Sequence, residues 1–551
     1  MGIQETMKQR PRVVILGGGF AGIYAAMQLE KAVRKGEDVE IVLVNKENYF
    51  VFQPMLPEVI SGTIGILDVV SPIRRLLPRT DLHVRDVEEI DLEKKLVITS
   101  PGFRPHPHVI PFDHLVLALG SVTDFRGLRG LPEHAFPFKN LGDALNLRNH
   151  VIRALDEASI ERHDETLRKQ LLTFVVAGGG FSGVEVVAEL NDFVREVARS
   201  YPGLDPREIR IVLLHGGERI LPEVAERLAL FAQDILMRRG VEIRLKTVLE
   251  AATGDAAILR GGETIPTKTL VSTVPSFPHP LLEALPLAKG KNRRLLANRH
   301  LQAEGRTDVW ALGDCAVVPQ TDGTPSPPTA QHAIRQAAVA AHNIVATLHG
   351  RALRTFDFKG LGKMGALGHR SAIAELPGGI KVSGFLAWWI WRSIYLVKLP
   401  GWGRRLRVAS AWSLDLLLPA ELVQLKLGGS RGVTQEHFEP GQEVFRQGDL
   451  GDRVYLVMSG QAEVWRSVDG VEECLGQLEP GDWFGEMALL NETTRGATVR
   501  CTKAMDALIL PKSEFSVLAA NLPDLRRSFE RVMEGRRGGA GMGVGSRRDS
   551  V

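Results

Sequence analysis

Two glycine fingerprints constrain this chain more than any other feature: Gly17-x-Gly19-x-x-Gly22 in RVVILGGGFAG and Gly178-x-Gly180-x-x-Gly183 in TFVVAGGGFSG. Each follows an apolar, strand-like run and opens a helix-like one. Glycines at these places allow a tight turn, let the backbone approach a pyrophosphate and seat the helix close to the sheet, so that the phosphate lies at a helix N-terminus. A single match is weak. Two matches, each between a strand and a helix and about one nucleotide-binding domain apart, predict two dinucleotide sites.

The flanking text supports interleaved units. RVVILG, a helix from Phe20 to about Val33, VEIVLVN and HLVLALGS form one strand-helix-strand series. TFVVAGGG, GVEVVAELNDF, IRIVLLHGG and AERLALFAQDILMRRG repeat the logic, and VWALGDCA then returns to the first unit. The expected division is 11–145 with 286–350 for the first unit and 146–285 for the second, each with a mostly parallel sheet.

Composition narrows the partners. With 68 basic and 65 acidic residues, a net charge of +3 gives no global nucleic-acid signature. Cys315, Cys474 and Cys501 lack the spacing of a disulfide framework, a zinc site or a CxxC pair, so no metal is expected and a reducing compartment fits. The N-terminus has no apolar h-region and reads as no secretory signal. Gly2 and Thr6 match M-G-x-x-x-[ST], a pattern short enough to arise by chance.

Two further segments follow. Residues 351–428 gather Trp388, Trp389, Trp391, Trp402 and Trp412 among Lys381, Arg392, Lys398, Arg404, Arg405 and Arg407. No run reaches the ~18 apolar residues a spanning helix needs. Tryptophan suits the headgroup level and basic side chains reach anionic lipid, so this is read as an interfacial membrane-binding region contacting lipid through Trp388, Trp389, Trp391, Arg404 and Arg405. A buried amphipathic subdomain or a homodimer face is the other use of such a segment. Residues 429–533 show turn signals near every tenth position, including Pro440-Gly441, Asp469-Gly470 and Pro480-Gly481, and read as a β jelly-roll; 534–551 reads as a disordered tail. The fold class is therefore α/β: two interleaved Rossmann-like dinucleotide-binding domains, an amphipathic membrane-associating region and a C-terminal jelly-roll.

Residues 10–425 resemble the type II NADH:quinone oxidoreductases. The resemblance rests on the double fingerprint, YFVFQPMLPEVISG, HLVLALGSVTDF, FKNLGDALNLRNHV, VWALGDCA, PPTAQHAIRQA and SGFLAWWIWRSIYL. It implies FAD at the first fingerprint, with Gly17, Gly19, Gly22, Asn45, Lys46, Gly120 and Asp314 as binding residues. It implies NAD(P)H at the second, with Gly178, Gly180, Gly183, His215 and Glu218. Glu185, matching the family's Gly-Val-Glu, would face nicotinamide and flavin, although the helix dipole alone also favours an acid there. Gln331 would line the quinone mouth. Where the family often carries a second glutamine this chain has Arg335, and VSTVPSFPHPLL replaces a Thr-Ala-Gly stretch.

The strand ends also depart from the usual pattern. An acid commonly closes the second strand of such a unit and bonds both ribose hydroxyls; here Asn45 and His215 stand there. Asn45 can still pair with a hydroxyl. His215 tolerates a 2′-phosphate, whereas nearby Glu218 would restore the usual preference, so NADH is expected and NADPH stays open.

GDWFGEMALLNETTRGATVRC resembles the phosphate-binding cassette of cyclic-nucleotide-binding domains. The resemblance puts Glu486 on a ribose 2′-hydroxyl and Arg495 on the cyclic phosphate of cAMP or cGMP, with Gly485, Gly496 and Ala497 lending backbone N–H groups. A jelly-roll kept for docking alone is the plain alternative. The combined reading is a peripheral enzyme on the cytoplasmic face of a membrane, expected as a homodimer. It passes electrons from NADH through FAD to a quinone without proton pumping. A redox or nucleotide sensor, or an NAD(P)H-flavin reductase with a protein acceptor, are the competing readings.

Overall fold

The computed structural model describes residues 10–101, 107–123, 125, 128–273, 276–368, 370–414, 423–424, 434–449, 451, 453–468, 471–486 and 494–511. Strand Arg12–Leu16 is the centre of a five-stranded parallel sheet, flanked by Glu40–Asn45 and His114–Leu117, with Asp81–Val84 and Val309–Ala311 at the edges. Val13, Val14, Ile15 and Leu16 are fully buried, as expected of a parallel strand covered on both faces. Helices Phe20–Arg34 and Ala330–Leu348 pack together beside it. Since Val309–Ala311 follows the second unit in the chain yet completes the first sheet, the units are interleaved.

The second parallel sheet runs Ala135–Pro137, Thr269–Ser272, Thr173–Ala177, Arg210–Leu214, Val241–Arg244. Strand Ala135–Pro137 already pairs with Thr269–Ser272, so the chain enters this unit upstream of residue 145. At the crossing, Ser121–Thr123 and Ser276–Pro278 form a small antiparallel pair. Each unit also carries a three-stranded antiparallel sheet, within 87–111 and 249–266, that the apolar pattern did not separate.

After the second crossing, strands Lys363–Ala366, Ala372–Leu376 and Ile380–Gly384 make an antiparallel sheet that leads into helices Phe385–Lys398 and Trp402–Leu414. Here one expectation is corrected. Trp388 and Trp391 are only 9% and 1% exposed, because positions three and four apart share the helix face that meets the body, so neither can meet lipid. Trp389 and Trp402 point outward with Phe385, Leu386, Val397 and Leu406, Trp402 being 83% exposed. Arg404 and Arg405 are also partly committed: Arg404 lies 3.5 Å from Asp68 and donates to the Leu67 carbonyl, and Arg405 Nε donates to the Leu399 carbonyl at 2.9 Å.

The inward face is held by a polar latch. The Arg392 guanidinium lies 4.3 Å from the Trp388 ring centre and 4.6 Å from that of Trp412, and 3.6 Å from Glu58 Oε1. Trp412 Nε1 donates to Glu58 Oε2 at 2.8 Å.

The C-terminal module is an antiparallel six-stranded sheet centred on the long strands Arg453–Val468 and Thr498–Pro511. Its own core holds Phe438, Tyr455, Phe484, Val499 and Met505. It seats on the second unit, where Arg129 pairs with Glu439 at 3.2 Å and His134 Nε2 bonds the His437 carbonyl at 2.8 Å. The turn expected at Asp469-Gly470 and the tail 534–551 lie outside the described residues.

Trp412→Phe keeps an aromatic ring but removes one hydrogen bond to the buried Glu58 carboxylate. A loss of about 1–3 kcal/mol is expected in thermal unfolding, against no measurable change for Trp402→Phe on the surface.

Candidate functional site

The two fingerprint loops have one geometry. Gly17 N–H donates to the Val44 carbonyl and Gly178 N–H to the Leu214 carbonyl, both at 2.9 Å. Gly17 and Gly178 hold φ of +105° and +119°, conformations that disfavour a side chain. A Cβ on Gly22 would stand 1.8 Å from the Gly17 oxygen, and one on Gly183 1.7 Å from the Gly178 oxygen, so the third glycine of each motif is demanded by close packing of helix on strand. Gly19 and Gly180 occupy the N-cap positions with no side-chain cap, leaving the first backbone N–H groups of each helix for a ligand.

The residue that ends each second strand closes its loop. Asn45 Oδ1 accepts from Gly18 N–H at 2.7 Å, and His215 Nδ1 accepts from Gly179 N–H at 3.2 Å. Asn45 Nδ2 also donates to the Glu47 carbonyl, so the amide is held at both ends.

At the first loop lies a cavity of about 550 Å³ lined by Gly17, Gly19, Asn45, Lys46, Gly120 and Asp314, together with Lys139 and His279. Gly22 stands behind the loop and not on the wall. That volume lies within the roughly 300–1,000 Å³ of cofactor sites. Asp314 sits in a tight turn, Gly313–Cys315, anchored where Gly313 N–H donates to Gln336 Oε1 at 2.8 Å. Ser121 Oγ lies 3.4 Å from Asp314 Oδ2 and accepts from Lys139 Nζ at 2.9 Å, bringing a cation to the wall. Cys315 is buried and its thiol is pushed up to about 11, which suits packing and not thiolate chemistry.

In the second unit Glu218 does not stand at the loop's inner edge. It pairs with Lys246 at 2.8 Å, with side chains 79% and 69% exposed.

Glu185 is half-buried, and its Oε1 accepts from Ala366 N–H at 3.1 Å, which ties the helix Phe181–Ala198 to the strand Lys363–Ala366. The carboxyl does not line the first cavity. Burial and the nearby Glu58 charge push it up to about 8. Glu189, one turn on, is raised by the same two causes and accepts from Ser61 Oγ at 2.7 Å. Tyr395 is raised by burial and by Glu185. Sequence reasoning missed this grouping of Glu58, Ser61, Glu189, Arg392 and Tyr395 around Glu185. Its signals were Glu58 and Ser61 in PEVISG and the i, i+4 pair Glu185/Glu189, but the elements involved meet only in the fold.

Gln331 spends its amide on the neighbouring loop: Oε1 accepts from Leu361 N–H at 2.9 Å and Nε2 donates to the Gly362 carbonyl at 3.2 Å. Arg335 stacks on Phe358 at 4.0 Å and donates to the Gln331 carbonyl at 3.1 Å.

In the C-terminal module Glu486 and Arg495 are both buried. Arg495 donates to the Gly485 carbonyl at 2.6 Å and the Arg453 carbonyl at 2.9 Å, and lies 4.2 Å over the Phe445 ring. Gly496 and Ala497 follow in a bend, Gly496 exposed and a Cβ there meeting nothing within 4 Å.

Comparison with known proteins bears on these features. Residues 11–337 match the family described as pyridine nucleotide-disulphide oxidoreductase, 361–418 the NDH2 C-terminal domain, and 435–521 the cyclic nucleotide-binding domain. The demethylphylloquinone reductase NdbB of Synechocystis sp. is 33% identical over 410 residues, 73% of this chain and 96% of that protein. The type II NADH:quinone oxidoreductase NdhA of Mycobacterium tuberculosis is 29% identical over 430 residues, 74% of this chain and 87% of its own. The structure of NDH2 from Plasmodium falciparum in complex with NADH superposes with a TM-score of 0.69 at 18% identity, covering 75% of this chain and all of that one, a likeness of fold.

A carboxyl raised on folding binds a proton that the unfolded chain releases, so ionising it opposes the fold. Stability should fall as pH rises from the ordinary value of 4.5 through about 8. Thermal unfolding across that range should show the decline, and Glu185→Gln and Glu189→Gln should each flatten it.

Proposed function

The chain belongs to the pyridine nucleotide-disulphide oxidoreductase family, and from that membership we propose a type II NADH:quinone oxidoreductase that attaches to the membrane surface and carries a cyclic-nucleotide module. One observation supports it above the rest: the first fingerprint opens on a cofactor-sized cavity while the second repeats the same uncapped loop.

FAD, when bound, supplies hydride acceptance from a reduced nicotinamide and electron delivery to a quinone. Gly17, Gly19 and the open N–H groups of the helix Phe20–Arg34 would hold its pyrophosphate, with Gly22 giving that helix its close seat. Asn45 and Lys46 would meet its ribose, and Gly120 and Asp314 the remainder. Gly178, Gly180, Gly183 and His215 serve NADH in the same way, with Glu218 at the outer rim. Glu185 keeps its carboxyl proton near neutral pH, and its bond to Ala366 N–H fixes that carboxyl beside the strand Lys363–Ala366. Gln331 orders the loop at Leu361 and Gly362, where we place the quinone mouth. Glu486, Arg495 and the backbone at Gly485, Gly496 and Ala497 would take cAMP or cGMP.

Among the described residues no helix is long and apolar enough to cross a membrane. Attachment is proposed through Trp389, Trp402, Phe385, Leu386 and Leu406, with Arg407 and Lys381 toward anionic headgroups on the cytoplasmic face. A homodimer face is the rival use of these side chains. In flotation with anionic liposomes, Trp389→Ala with Trp402→Ala should weaken binding by about tenfold, the scale of one or two kcal/mol of lost burial. Liposome binding unchanged beside a shift from dimer to monomer would favour the rival.

The direct test is NADH oxidation by the purified protein in liposomes with a ubiquinone or menaquinone analogue, with and without cAMP. Rapid quinone-dependent turnover is the expected result, and a cAMP effect would give the C-terminal module a regulatory part. NADH reducing the flavin with no quinone able to reoxidise it would turn the assignment to a sensor or a protein-linked reductase.

A further inference from the structure

We propose that the second dinucleotide site accepts NADPH as well as NADH, and that His215 and Lys246 set this breadth; the proposal rests on the nicotinamide reading of that site. In a unit of this kind, a carboxylate ending the second strand holds the adenosine ribose hydroxyls and repels a 2′-phosphate. The repeat shows where that ribose lies. In the first unit the residue that accepts from the middle glycine, Asn45, lines the cavity together with the next residue, Lys46. His215 accepts from Gly179 N–H in the equivalent place.

His215 offers no negative charge there. Because Nδ1 is an acceptor, the neutral ring carries its hydrogen on Nε2. The ring is wedged between two loops: a Cβ on Gly179 would come within 2.7 Å of it, and one on Gly217 within 2.7 Å of Nε2. It is therefore a fixed wall that neither repels nor swings.

The next acid along the chain, Glu218, is turned outward to Lys246. Lys246 is held beside the histidine by its backbone, since its N–H donates to the Gly217 carbonyl at 3.0 Å and Thr247 N–H donates to the His215 carbonyl at 2.9 Å. Exposed ion pairs contribute about 0–1 kcal/mol, so the ammonium can leave Glu218 for a doubly charged phosphate at little cost. Other charges are placed elsewhere. Arg219 donates to the Leu221, Pro222 and Val224 carbonyls, and Arg244 pairs with Glu242 and Glu263. Glu223 Oε1 lies 3.3 Å from a Cβ built on Gly180, at the pyrophosphate end of the loop and away from the strand-end ribose.

The test is rapid-mixing reduction of the bound flavin by NADH and by NADPH, with calorimetric titration of 2′,5′-ADP against AMP as a readout independent of turnover. NADPH should reduce the flavin with a second-order rate constant within about tenfold of that for NADH, and 2′,5′-ADP should bind at least as tightly as AMP. Lys246→Ala should lower the NADPH-to-NADH ratio by about tenfold, the scale of one charge-assisted hydrogen bond. His215→Glu should lower it by about a hundredfold, as expected when a carboxylate replaces an uncharged group facing a doubly charged phosphate. His215→Gln, which keeps an uncharged acceptor for Gly179 N–H, should retain the wild-type ratio and controls for damage to the loop.

Reduction by NADH alone, with 2′,5′-ADP binding more weakly than AMP, overturns the proposal. A ratio unmoved by both Lys246→Ala and His215→Glu overturns the assignment to these residues. Failure of both nucleotides to reduce the flavin overturns the nicotinamide reading itself.

Discussion

Much of this molecule depends on a small closure repeated twice: the N–H of a loop's middle glycine bonded to the side chain that ends the neighbouring strand, Gly18 to Asn45 and Gly179 to His215. The bond orients a loop that would otherwise leave several backbone donors to water. Because it uses one glycine and the first glycine bonds the strand backbone, the remaining N–H groups at the helix start face the ligand space. Charge at the strand end then becomes a free choice, as long as an acceptor remains. An amide in the first unit and an imidazole in the second both satisfy the loop while removing the usual negative charge.

A second constraint joins the surface helices to the interior. Glu58 accepts from Trp412 and faces Arg392, which is sandwiched between Trp388 and Trp412. Burial, with the charge of the same Glu58 adding to it, raises the Glu185 and Glu189 carboxyls toward neutrality. Burial makes charge expensive here, so a carboxyl in this group stays ionised only where a cation or donor compensates it, and the others keep their protons. The helix Phe385–Lys398 thereby carries the face proposed to meet lipid and, through Arg392 and Tyr395, contacts to this carboxyl group.

The C-terminal module is bound to the second unit by polar contacts, Arg129 to Glu439 and His134 to the His437 carbonyl. Arg495, on which phosphate recognition would rest, packs on Phe445 and donates to two backbone carbonyls. Its guanidinium therefore already has a structural job.

Local patterns made a large part of this legible. The fingerprints, the apolar runs of the parallel strands and the return at VWALGDCA determined two interleaved nucleotide-binding units, because strand, turn and helix in such a unit are contiguous in the chain. The sequence likewise marked Asn45 and His215 as departures, since their places follow by counting from each fingerprint. Tertiary structure alone decided which tryptophans face out. Composition pooled Trp388, Trp389 and Trp391, whereas helix periodicity against a particular neighbour buries the first and third. It alone brought Glu58 and Arg392 to the Glu185/Glu189 pair, groups from three distant segments that no spacing rule connects. It also turned Glu218 away from the ribose edge, because a side chain's direction depends on a partner, Lys246, supplied by the next strand's end.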